Sequence, residues 1–176
     1  MLKTLRAIAA IGIVTESAPR ADESLRMRDA LQDRILRALG RALCIRHVDA
    51  GSCNGCELEI HALNNPLYNI EGLGIRFVAS PRHADLLLVT GPVSRHMETA
   101  LRRTYAATPD PKLVVAVGDC GCTGGVFGES YASAGRVANV IPVDVQVAGC
   151  PPTPERIMQA ILTAITSTGR EVSRVE

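Results

Sequence analysis

The feature that most constrains this chain is a set of short apolar runs separated by longer stretches with helical spacing. Leu86–Val89 and Leu113–Val117 are unbroken, and Val143–Val147 is interrupted by Asp144 and Gln146. Runs of this length suit strands buried on both faces, as in a parallel sheet covered by helices. Two further strands are expected near Cys44–Asp49 and Ile75–Ala79, and the third and fifth at Asp85–Thr90 and Val143–Val147. Helices are expected over Glu57–Leu63, Val93–Ala106 and Pro154–Thr168, with Gly121–Gly128 and Cys150–Pro154 as loops. Strands alternating with helices predict an α/β fold, a flavodoxin-like doubly wound parallel sheet.

The first 43 residues have a different texture. Leu2, Leu5, Ile8 and Ile13 share one face of a short helix, with Lys3 and Arg6 beside them. This segment reads either as a loose terminus or as a surface-lying amphipathic piece. Over Asp22–Leu43, apolar residues at 25, 27, 31, 35, 36, 39 and 43 repeat at helical spacing. Arginines at 26, 28, 34, 37 and 41 give that helix a charged outer side, or a face for a partner. The expected organisation is therefore an N-terminal helical extension, residues 1–43, followed by one α/β domain, residues 44–176.

Composition narrows the function. A net charge of +1 supplies no general grip on nucleic acid, and 3% aromatic residues leave few platforms for stacking bases. No apolar run approaches the roughly 20 residues needed to span a bilayer. The short apolar stretch at Ile8–Val14 is followed by Glu16 and Pro19 rather than a cleavage site, so a cytoplasmic chain with reduced thiols is expected.

Six cysteines are then free for other chemistry, and their positions are informative. Cys53 and Cys56 follow the first expected strand, Cys120 the fourth and Cys150 the fifth. Loops at the carboxyl ends of parallel strands converge on one edge of the sheet, so these four thiols are expected to meet. Four cysteine thiolates are the ligand set of a cubane iron–sulfur cluster, here one [4Fe–4S] cluster. Neighbouring glycines allow backbone N–H groups to approach such a cluster. Zinc or a redox-active thiol pair are the alternatives, because a lone C-x-x-C serves those as well. Cys44 falls within a strand and reads as a small core residue. Cys122 competes with Cys120 for the third position; Cys120 is preferred because it follows the strand directly.

Three strings carry a family resemblance: Ser-Cys-Asn-Gly-Cys-Glu-Leu-Glu (52–59), Gly-Asp-Cys-Gly-Cys-Thr-Gly-Gly (118–125) and Gly-Cys-Pro-Pro-Thr-Pro-Glu (149–155). Over roughly 44–165 the chain resembles the small subunits of group 4 membrane-bound, energy-converting [NiFe] hydrogenases. These are related to the 20 kDa, or B, subunit of respiratory complex I. The complex I branch has adjacent cysteines in its first motif, whereas Asn54 and Gly55 separate Cys53 from Cys56 here, as in the hydrogenases. Neither a twin-arginine signal nor an additional two-cluster region is recognisable, which aligns the chain with the group 4 type.

The resemblance implies an oxidoreductase subunit that relays electrons rather than performing the H2 chemistry itself. It implies Cys53, Cys56, Cys120 and Cys150 as ligands of one proximal [4Fe–4S] cluster. The implied partners are a ferredoxin-like polyferredoxin subunit, a [NiFe] large subunit and membrane ion-translocating subunits, with the chain peripheral on the cytoplasmic side. The alternative is a complex I-like B subunit passing electrons to quinone. Glu59 matches an acidic residue of the complex I branch and would be a charge or proton-path group, or else a solvated first-turn residue; Cys122 would be a thiol standing behind the ligands. Glu57 reads as a carboxylate suited to a helix start, and His61 and His96 as solvent or core residues.

Overall fold

In the computed structural model, residues 32, 33, 35, 37 and 40–167 are described. The amphipathic segment within Met1–Pro19 and most of the helix expected over Asp22–Leu43 lie outside them. Residues 32, 33, 35 and 37 are helical, with Ile35 buried in the core. Leu43 begins the first strand instead of ending that helix.

The elements in order are β1 (Leu43–Asp49), α1 (Gly55–Ala62), β2 (Ile75–Phe77), β3 (Leu86–Thr90), α2 (Arg95–Ala107), β4 (Leu113–Val117), α3 (Gly118–Thr123), β5 (Val145–Val147) and α4 (Pro154–Ser167). Short 3-10 turns occupy Ile70–Leu73, Pro81–His83 and Val137–Asn139. The five strands form one sheet in the order β2-β1-β3-β4-β5, with every pairing parallel. This is the doubly wound order in which the chain winds one way to β2 and then returns past β1 to β3.

The apolar runs explain the layering. All five residues of β3 are buried, as is β4 beyond Leu113, so both faces need covers. On one face Leu86, Leu88, Val115 and Val117 pack with Ile60 and Leu63 from the α1 region and Ile157, Met158 and Ile161 of α4. On the other, Leu87, Val89, Val114 and Ala116 pack with Leu101 of α2 and with Val137, Val140 and Ile141. Full burial of a leucine such as Leu88 contributes about 1.5–3 kcal/mol, so the central strands dominate the core.

Several expectations shift. The fifth strand is only Val145–Val147, an edge strand with Gln146 exposed; just ahead of it the Asp144 carboxylate accepts from the Val114 amide at 2.8 Å. The stretch Gly121–Thr123, expected as loop, is the second half of α3, a six-residue helix that begins directly at the end of β4. A glycine-rich composition obscured it. Cys44, expected in the core, is only half buried, with its Sγ 3.9 Å from the Ala42 carbonyl.

Candidate metal centre

The carboxyl ends of β1 and β5 lead into cysteine-bearing loops, and that of β4 leads directly into the cysteine-bearing helix α3. After β1, the Asp49 carboxylate accepts hydrogen bonds from the Gly51 and Ser52 amides, both at 2.8 Å, and folds the chain back on itself. Ser52 Oγ then accepts from the Asn54 amide at 3.1 Å, and Asn54 takes a left-handed conformation (φ 72°) that opens α1. Asparagine tolerates this conformation because its short polar side chain can bond locally. Cys53 is exposed on this loop and Cys56 sits half-buried in the first turn of α1.

Cys120 is half-buried in α3, and Cys150 is exposed on the loop after β5. Asp119 ties these two regions together. Its amide donates to the Gly149 carbonyl at 2.9 Å, and its Oδ1 accepts from the Gly149 amide at 2.7 Å. All four sulfur-bearing residues, with Asp119 and Pro151, line one cavity of about 130 Å³.

Two glycines make room for sulfur. Gly118 has φ +84°, and a Cβ there would stand 2.6 Å from Cys56 Sγ. Gly125 has φ +54°, and its Cβ would stand 2.8 Å from Cys120 Sγ. Both distances are closer than real Cβ contacts. The backbone therefore approaches these sulfurs as a side chain could not.

The thiols also feel one another. Burial pushes the Cys56 thiol up to about 12, and the charges of Glu57, Cys53, Cys120 and Cys150 add to the effect. Cys120 is raised for the same first reason, with Cys150, Cys53 and Asp119 contributing. Raised in this way, the thiols would ionise together only around a positive group. Among the described residues, no three His, Cys, Asp or Glu side chains are drawn together tightly enough to hold a single metal ion. One tetrahedral zinc would require four sulfurs each about 2.3 Å from a common point. Four cysteine thiols on one cavity are also the donor set of a cubane, in which each sulfur binds its own corner iron.

The other candidates lie elsewhere. Cys122 is buried, with its Sγ 3.6 Å from the Ala116 carbonyl of β4, and its thiol is raised by burial. It points into the core while Cys120 lines the cavity. Glu59 is half-buried outside the lining, where its charge helps raise the Tyr68 phenol. His96 is exposed.

Glu57 is the residue that sequence reasoning missed. It is 6% exposed, and among the described residues neither carboxylate oxygen has a hydrogen-bond partner. Its nearest cationic candidate, His47 Nε2, is 3.7 Å away, beyond hydrogen-bond reach. That imidazole is 3.1 Å from Thr90 Oγ1 and is lowered by burial, with Glu57 and Asp49 opposing the shift and Arg46 and His61 reinforcing it. The signal was available: Glu57 precedes Ile60 by three residues and so shares its inward face. His61 is exposed and, with His47 and Arg46, borders a second cavity of about 260 Å³.

The fold and site define a parallel α/β domain with a cysteine-lined pocket at the carboxyl edge of its sheet. The family model of NADH ubiquinone oxidoreductase, 20 Kd subunit, matches residues 53–164, and the chain belongs to this family of oxidoreductase subunits. A probable membrane-bound hydrogenase subunit of Pyrococcus furiosus is 43% identical over 148 residues, covering 82% of this chain and 89% of the relative. Formate hydrogenlyase subunit 7 of Escherichia coli is 41% identical over 144 residues, 82% of this chain but 55% of that subunit. Among solved structures, a chain of an archaeal membrane-bound sulfane sulfur reductase superimposes with a TM-score of 0.63 at 31% identity, covering 85% of this chain and 79% of that one. Among the described residues, no helix is long and apolar enough to cross a membrane.

Proposed function

We propose that this chain is the electron-relay subunit of a membrane-bound [NiFe] hydrogenase complex, holding one [4Fe–4S] cluster through Cys53, Cys56, Cys120 and Cys150. The observation that carries the proposal is the convergence of these four thiols, from the carboxyl ends of three strands, on one cavity. When bound, the cluster would accept one electron from a ferredoxin-like subunit and pass it toward the [NiFe] centre of a separate large subunit, where protons become H2. The chain's own residues perform the positioning. The half-buried Cys56 and Cys120 would anchor the inner corners, and the exposed Cys53 and Cys150 would face the outside. Gly118 and Gly125 keep side-chain bulk away from the inner sulfurs. Rigid strands beneath the loops would hold all four at constant separation, which keeps transfer distances fixed.

The hydrogenase assignment is supported by the Asn-Gly spacer between Cys53 and Cys56 and by the names of the Pyrococcus and Escherichia relatives. It places the subunit on the cytoplasmic side of the membrane, attached through ion-translocating subunits. A complex I-like relay to quinone is the second reading, and the description of the family model favours it. Purification of the intact complex tests both. Iron and acid-labile sulfide near four each per chain, H2 evolution from a low-potential donor, and a large partner with two C-x-x-C motifs are expected. A partner lacking those motifs would move the assignment to the quinone-linked reading, and zinc in place of iron would refute the cluster.

A further inference from the structure

We propose that Asp119 is a positioning residue that presets the Cys150 loop against Cys120 before the cluster arrives; this rests on the cluster reading above. Asp119 immediately precedes Cys120, and Gly149 immediately precedes Cys150. The two residues exchange a pair of hydrogen bonds, Asp119 N to Gly149 O at 2.9 Å and Gly149 N to Asp119 Oδ1 at 2.7 Å. Each clamped position is thus one residue from a ligand, at the carboxyl ends of the adjacent strands β4 and β5.

The two sides of the clamp differ in stiffness. Asp119 is seated in α3, where its carbonyl accepts from Thr123 Oγ1 at 2.9 Å. Gly149 belongs to a loop at φ +143°, folded so tightly that a Cβ would meet Pro152 Cα at 2.6 Å. Cys150 itself is exposed, on the loop beyond the three-residue edge strand β5. The loop therefore takes its position from the helix through the Asp119 carboxylate. Electrostatics gives no reason for an anion here, since it stands beside thiolates and raises the Cys120 thiol. Hydrogen-bond geometry does. An acceptor on a short side chain is what the Gly149 amide requires, and a carboxylate oxygen bonds a backbone N–H more strongly than a neutral one.

The test uses the full chain, wild type and D119A, D119N and D119S, with and without anaerobic reconstitution by ferrous iron and sulfide. In the iron-free chain, hydrogen exchange of the Gly149 amide should accelerate about tenfold in D119A, the scale of losing one charge-assisted hydrogen bond. In the reconstituted chain, cluster release to a chelator should accelerate about tenfold in D119A, with an altered EPR line shape. D119N keeps an acceptor oxygen and should restore both rates to within about threefold of wild type. Should D119A not fold, D119S carries the same expectation, because its hydroxyl is too short to reach. Unchanged release in D119A or D119S overturns the proposal, and so does D119N behaving like D119A, which would make charge rather than acceptance the cause. If the wild-type chain takes up no cluster while the Gly149 amide is protected and D119A exposes it, the cluster reading fails and the clamp stands.

Discussion

Gly118→Ala is the sharpest perturbation of the site, because its two consequences separate. The residue has φ +84°, so any side chain there costs about 1–2 kcal/mol of backbone strain. Its Cβ would also stand 2.6 Å from Cys56 Sγ, against 3.4 Å for ordinary contact, so the sulfur must retreat by about 0.8 Å. Metal–ligand distances hold to about 0.2 Å, so a shift four times larger breaks a ligand bond rather than straining it. Gly128→Ala is the matched control, since it also has positive φ (+52°) but nothing within 4 Å of the new Cβ. Both variants should lose about 1–2 kcal/mol in urea unfolding of the iron-free protein. Only Gly118→Ala should lose iron and acid-labile sulfide after reconstitution. Wild-type cluster content in Gly118→Ala would refute the reasoning, because the Cys56 sulfur could not then be a ligand where it stands.

Three further outcomes follow from the same geometry. Cys120→Ser should abolish the reduced cluster's EPR signal, whereas Cys122→Ala should keep it and cost only about 1 kcal/mol of core packing; the reverse result would exchange the two thiols' roles. Glu57→Met should raise the stability of the iron-free chain by about 1–2 kcal/mol in urea, since it removes a buried carboxylate with no hydrogen-bond partner among the described residues; a loss of stability would mean that the carboxylate is paired after all. The Tyr68 hydroxyl donates to Glu155 Oε1 at 2.6 Å, which holds that carboxyl below its usual range and lifts the phenol to about 12. Because the pair is largely exposed, Tyr68→Phe should cost under about 1 kcal/mol. The unfolded chain binds the Glu155 proton first as pH falls and releases the Tyr68 proton first as pH rises. The wild-type advantage should therefore be full between the ordinary carboxylate range and about pH 10. It should fade as acid reaches the lowered Glu155 pKa, or as base approaches pH 12; a pH-independent difference in urea unfolding would refute the linkage.

Much of this architecture was legible locally. Leu86–Val89 and Leu113–Val117 announce two-sided burial by their unbroken apolar character, and both are central strands. The alternation of such runs with helical spacing was enough for the doubly wound class, and strand-end placement was enough to expect four particular cysteines together. The misses have two causes. The edge position of β5 and the half-burial of Cys44 depend on neighbours distant in sequence, whereas local glycines hid the helical half of the Gly-Asp-Cys-Gly-Cys segment.

Residue type and spacing, by themselves, determined which thiols are available and which edge of the sheet they approach, because strand direction and loop position follow from short-range pattern. Only the tertiary structure decided between Cys120 and Cys122 for the cavity wall, since a single α3 helix turns one sulfur outward and the other against Ala116. It alone also joined Asp119 to Gly149 across 30 residues of chain. Burial and hydrogen-bond partnership are properties of what packs nearby, and no local pattern encodes that until the strands are paired.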